Sequence, residues 1–178
     1  MKILHITAIG FLKPKSGVPA VLKALVEEQN KIQGVEARCV SLRSGVDEID
    51  SIYFDELLEG DERSYISKFG PDIAIFHSFF YVKFIKLSRV LCEYNIPFVV
   101  EPHGSFGHMA MQKGWLKKKI AILTLFRPLL KKSTGYIYTN SAELEDSIFK
   151  KKNIYFVLVI PYWYDTINLN LLEDLFKK

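Results

Sequence analysis

The stretch from Pro71 to Gly104, PDIAIFHSFFYVKFIKLSRVLCEYNIPFVVEPHG, decides the fold. Asp72 to Phe76 reads as a strand of the buried kind, and Tyr81 to Glu93 as a helix. Pro97 to Val100 is a second apolar strand, followed by a loop rich in Gly and His. Strand, helix and strand in succession make a right-handed βαβ unit, which requires a parallel sheet. Strands written as continuous apolar runs fit a sheet covered on both faces.

The same alternation extends in both directions. Towards the N-terminus, Lys2 to Thr7 is a strand, and Val18, Val21, Leu22, Leu25, Val26 and Ile32 follow helical spacing. Pro19 suits the first turn of that helix and Gly34 ends it. Glu36 to Leu42 is a strand, Ser51 to Phe54 a short edge strand, and Asp61 to Phe69 a short helix closed by Gly70-Pro71. Towards the C-terminus, Gly114 to Lys132 is helical with an interruption near Pro128. Gly135 to Thr139 is a strand, Ser141 to Lys150 a helix, Ile154 to Ile160 a strand, and Leu169 to Lys178 a polar-apolar mixture compatible with a helix. The fold class expected is therefore α/β, a Rossmann-like doubly wound parallel sheet of about six to seven strands.

Composition agrees with one domain. The chain has 178 residues, 49% of them hydrophobic, which is enough for a full core and too many for disorder. Cys39 and Cys92 are too few for a disulfide framework and read as reduced core thiols, which points to a cytoplasmic location. The apolar segment Ile3 to Leu12 contains His5, Thr7 and Gly10 and reads as a strand rather than a signal peptide. No run reaches the roughly 18 apolar residues of a membrane span.

Charge is unevenly distributed. Of 24 basic residues, seven (Lys113, Lys117, Lys118, Lys119, Arg127, Lys131 and Lys132) lie between Pro102 and Ala142, where there is no acid. Lys113, Lys117, Lys118 and Lys119 crowd the first turns of a helix, where the helix dipole disfavours cations, and an anionic partner would offset that cost. Two readings stay open: a core helix with solvated lysine ends, or a helix facing an anionic membrane surface at the inner face of the cytoplasmic membrane. Nothing in the pattern points to nucleic acid.

In open α/β sheets, ligands bind beyond the carboxyl ends of the strands. The loops at those ends hold Ser16 and Gly17, which open a helix and suit a phosphate or hydroxyl. They also hold His77, His103 and Gly104, and the capping-box sequence Asn140-Ser141-Ala142-Glu143. His77 and His103 fall at adjacent strand ends, where each serves either as a ligand contact or as packing for the loop. No third ligand at suitable spacing accompanies them, so no metal is expected. The G-x-G-x-x-G fingerprint, the Walker A loop, the G-x-S-x-G elbow, H-E-x-x-H and an Asp-x-Asp pair are all missing. No cofactor is therefore expected.

One set of motifs, in order, is Lys2-Ile-Leu-His-Ile6, Ser16-Gly-Val-Pro19, Pro71 to His77, Ile96 to Gly104, Thr139 to Glu143 and Val159 to Asp165. This order resembles the N-terminal domain of family 4 glycosyltransferases of the GT-B fold. The resemblance implies an acceptor-side domain over residues 1–165, a linker or terminal helix over 166–178, and an absent C-terminal domain for a nucleotide-sugar donor. It implies a retaining, metal-independent enzyme acting on a sugar or lipid-linked acceptor in cell-envelope or exopolysaccharide synthesis. This half is expected to be inactive alone. By resemblance His103 contacts the transferred sugar and is the catalytic residue. By the same resemblance Ser16 and Gly17 lie near the donor diphosphate, while His77, Gly104, Ser141 and Glu143 are placed on the substrate side by their position at strand carboxyl ends. Ser16 stands where the family has a glycine, and Pro161-Tyr162-Trp163 where it has Pro-Asn-Gly. The alternatives are a non-catalytic module that requires a partner chain and, less favoured, a free-standing nucleotide-binding protein.

Overall fold

A computed structural model describes residues 1–8, 17–43, 52–149 and 157–159. Seven strands form one sheet: β1 (Lys2–Thr7), β2 (Glu36–Ser41), β3 (Phe54–Glu56), β4 (Ile73–His77), β5 (Phe98–Glu101), β6 (Gly135–Tyr138) and β7 (Val157–Val159). Their order is β3-β2-β1-β4-β5-β6-β7, and every pairing is parallel. The chain winds outward from β1 to β3, returns, and winds the other way from β4. The strand order thus reverses between β1 and β4, and the crevice outside their carboxyl ends is the place where such sheets bind ligands.

The helices are α1 (Gly17–Gln29), α2 (Glu62–Phe69), α3 (Val82–Glu93), α4 (His108–Gln112), α5 (Trp115–Leu123), α6 (Arg127–Lys132) and α7 (Ser141–Asp146). They cover two separate apolar layers. One joins Ile3, Cys39, Ile73, Ile75 and Val99 of the sheet to Leu22 and Val26 of α1. The other joins Leu4, Ile6, Ala74, Phe76, Phe98 and Val100 to Ile66, Phe84, Leu87 and Leu129. Alternate residues of one strand therefore enter different layers, the period-2 geometry of a strand buried on both sides. This is the doubly wound α/β architecture expected from the apolar runs.

The expected break in the long basic helix near Pro128 is present: α5 ends at Leu123, and Pro128 sits in the first turn of α6. Proline's missing N–H costs nothing at a helix start, so it opens a helix here rather than kinking one. Three other local expectations change. The loop after β5 contains an unforeseen short helix, α4, because the Asp146 carboxylate accepts the His108 N–H at 3.2 Å from 38 residues away. Helix α7 stops at Asp146, four residues early, where Ser147 is held by the Tyr138 hydroxyl at 2.9 Å. The edge strand lies at Phe54–Glu56, its pairing to β2 starting at Cys39. The expected helix at Leu169 to Lys178, the boundary at residue 165 and Ser16 lie outside the described residues.

Candidate functional site

Strand register assembles the site. Residue His5 of β1 pairs with Ile75 of β4, and His77 of β4 pairs with Glu101 of β5. Side chains repeat every second residue, so Ile3 and His5, Ile75 and His77, and Val99 and Glu101 all project on the α1 side. Apolar residues fill that layer towards the amino ends, and polar residues replace them at the carboxyl ends. Gln29, the last residue of α1, closes the layer from above.

The result is a buried polar chain. His5 Nε2 lies 2.7 Å from Gln29 Oε1, His5 Nδ1 lies 2.8 Å from His77 Nε2, and His77 Nδ1 lies 2.9 Å from His103 Nε2. The rings stack in sequence, with centroids 5.1 and 5.2 Å apart. Glu101 flanks the outer end, one carboxylate oxygen 3.2 Å from His77 Nδ1 and the other 3.7 Å from His103 Nε2. The proton positions follow from the partners. The Gln29 amide oxygen can only accept, so His5 donates from Nε2 and accepts at Nδ1 from His77 Nε2–H. His77 Nδ1 is then a lone pair turned towards Glu101 and His103.

Burial dominates the electrostatics. It lowers His5 to about 4 against the opposing hydrogen bond from Gln29, and lowers His103 to about 4 against the opposing field of Glu143. Burial pushes His77 well down, aided by the neighbouring rings of His5 and His103. All three imidazoles are therefore neutral at pH 7. They act as lone-pair and N–H partners, not as cations.

The backbone around the site is constrained. His103 and Ser78 sit at φ 47° and 73°, left-handed values that cost a non-glycine residue of order 1 kcal/mol. Gly104 follows at φ 75°. Two anchors impose this turn. Phe106 is buried against Phe79, Tyr136 and Phe149. Glu143 accepts the Gly104 N–H at 2.6 Å, and also the Thr139 N–H and hydroxyl at 2.9 and 2.8 Å.

The structure brings His77, His103, Gly104 and Glu143 together and gives them different tasks. Glu143 and Asn140 form the expected cap, with Asn140 Oδ1 accepting the Glu143 N–H at 2.8 Å. The Glu143 carboxylate is engaged as a brace under the His103 loop, and Ser141 is exposed at the start of α7 without joining the cluster. Gly17 is exposed at the start of α1, with open space where a side chain would be.

Sequence reading missed His5, Gln29 and Glu101. Glu101 is the third donor beside His77 and His103, and all three present ligand atoms within 4.8 Å of one another. Strand alternation assigns each residue a face within its own strand, but only the register across β1, β4 and β5 puts residues 5, 77 and 101 on the same one.

The lysines also divide. Lys113, Lys117 and Lys119 are exposed, whereas Lys118 turns inward, its ammonium 5.3 Å from the centre of the Phe80 ring and bonded to the Ala110 carbonyl. Ala121 and Ile122 face inward with it. Leu116, Ile120 and Leu123, at helical spacings of four and three, face solvent beside exposed Trp115, Leu125 and Met109. Among the described residues, no helix is long and apolar enough to cross a membrane.

No family model matches the chain, and no curated protein matches it. A solved structure, phosphomethylpyrimidine kinase from Clostridium difficile 630, aligns over 99% of this chain and 71% of its own, at 14% identity and a TM-score of 0.49. A likeness that distant carries no argument about this chain's activity. The expected membership in family 4 glycosyltransferases is corrected on these findings: neither a family model nor a curated protein supports it. The roles that hung on it fall too: acceptor-binding half of a retaining transferase and step in polysaccharide biosynthesis. The physical reason is that short strand-end motifs arise wherever a parallel sheet needs apolar strands followed by Gly, Pro and His in tight loops.

Proposed function

We propose that this domain binds a small, neutral, hydroxyl-bearing molecule at the carboxyl edge of its sheet, with His103 as the contacting residue. The observation that carries the reading is the chain Gln29–His5–His77–His103, which crosses from β1 to β4, where the strand order reverses, and ends beside Glu101 of β5. Buried polar side chains are costly unless they specify something, and here they fix the orientation of one strained histidine at a ligand-binding edge. Neutral imidazoles next to a carboxylate favour a hydroxyl over a phosphate. The deciding experiment is an NMR titration of the histidine rings with matched neutral polyols and phosphorylated compounds. Polyols are expected to shift His77 and His103 and to lose that effect in His103→Ala. Shifts confined to residues away from β1, β4 and β5 would sink the reading.

A second reading concerns location and rests on a separate observation. The solvent-facing stripe Leu116–Ile120–Leu123, with Trp115 beside it, lies in a segment with seven basic residues and no acid. An apolar face flanked by lysines suits the boundary of an anionic bilayer, where acyl chains accept the stripe and headgroups the cations. We place the domain at the cytoplasmic face of a membrane, in keeping with its free cysteines Cys39 and Cys92.

A further inference from the structure

The gap between His77, Glu101 and His103 has the dimensions of a metal site. The two imidazole nitrogens lie 2.9 Å apart, His77 Nδ1 lies 3.2 Å from one Glu101 oxygen, and His103 Nε2 lies 3.7 Å from the other. Tetrahedral bonds of about 2.0–2.1 Å place neighbouring ligand atoms roughly 3.3 Å apart, in the middle of that range. A proton on His103 Nε2 reaches His77 Nδ1 at 2.9 Å, with the second Glu101 oxygen 3.7 Å away. A divalent cation would be shared by all three donors.

The surroundings are those of a ligating histidine. A histidine bound to metal through one nitrogen donates its other N–H to a fixed acceptor, which sets tautomer and ring orientation. His77 does so: its far nitrogen donates to His5 Nδ1, and His5 in turn donates to Gln29 Oε1. This proton order leaves Nδ1 of His77 bare towards Glu101 and His103.

We propose that His77 Nδ1, Glu101 and His103 Nε2 form a three-donor site for a zinc-class divalent cation, with its fourth position open at the carboxyl edge of the sheet. Two histidines and a carboxylate with one open position are the donor set of sites that activate water or polarise a bound oxygen. His5 and Gln29 are positioning residues. The inference rests on the location of the proposed ligand site and not on the nature of its ligand. A hydroxyl-bearing molecule would take the open position.

The test uses tag-free, chelator-treated full chain titrated with Zn(II), and with Co(II) as a spectroscopic probe. One equivalent is expected to bind, Co(II) giving the intense visible bands of four-coordination. Glu101→Gln and His103→Ala should each weaken zinc at least tenfold. Gln29→Leu should weaken it roughly tenfold, the lower end of what lost outer-shell support costs, and change the Co(II) spectrum. Glu101→Gln preserves shape, so it keeps the test decisive if His103→Ala unfolds. No saturable binding, or equal binding by wild type and both ligand variants, overturns the inference. If zinc fails while polyols still shift His103, only the metal site is lost. If zinc binds and polyols do nothing, only the ligand class is lost.

Discussion

The Glu143 carboxylate accepts the backbone N–H of Gly104 at 2.6 Å, joining the start of α7 to the loop after β5 across 39 residues. The same carboxylate takes two further donors from Thr139, so one side chain fixes the ends of β5 and β6 together. The left-handed turn at His103 and Gly104 is held from this side. Glu143→Ala should therefore cost about 1 kcal/mol, the net worth of hydrogen bonds whose donors are partly open to water. Urea unfolding measures the loss, and hydrogen exchange should show faster exchange at the Gly104 and Thr139 amides. Unchanged protection at Gly104 would remove the brace from the account.

Phe106 holds the same loop from the other side. Its ring is fully buried among Phe79, Tyr136 and Phe149. Phe106→Ala should destabilise the domain by about 3–5 kcal/mol, whereas Phe106→Leu should cost less and leave the histidine ring shifts near wild type. Equal stability of the alanine variant would mean that the aromatic cluster does not anchor the site.

Acid should destabilise the chelator-treated protein well before its carboxylates titrate. His5 has a folded-state value of about 4 against an ordinary 6.5, so the unfolded chain binds more protons between those limits. Stability is then fully present above pH 6.5 and is lost as pH falls towards 4. His5 alone accounts for roughly 3 kcal/mol of this loss, and His77 and His103 shift in the same direction. His5→Gln should flatten that slope in denaturant melts recorded from pH 7 to pH 4. A slope identical to wild type would refute the burial argument.

Charge reversal separates the exposed lysines from the inward one. Lys113→Glu, Lys117→Glu and Lys119→Glu together should reduce co-sedimentation with anionic vesicles by at least 100-fold, counting about 1 kcal/mol for each lysine lost. Lys118→Glu should mainly lower stability, because its ammonium sits over Phe80. Binding that is indifferent to the triple change and to salt would exclude the bilayer reading.

Much of the architecture was legible along the chain. The apolar runs at Lys2–Thr7, Ile73–His77 and Phe98–Glu101 become central parallel strands because a strand buried on both faces has no room for polar alternation. Helix ends were legible where local chemistry sets them, as at Gly70, whose left-handed conformation closes α2. They were not legible at α4 and α7, which are set by Asp146 and Ser147 reaching distant partners.

The candidate site divides along the same line. Sequence alone placed His77 and His103 at neighbouring strand ends, since strand length and loop position are local properties. It could not supply Glu101 as their third donor or His5 and Gln29 as their support. Those five residues are spread over 99 positions, and only strand register and the packing of α1 bring them within hydrogen-bond distance. Their neutrality is likewise a tertiary property, because it comes from burial, and burial is decided by what the fold places around a group rather than by the group itself.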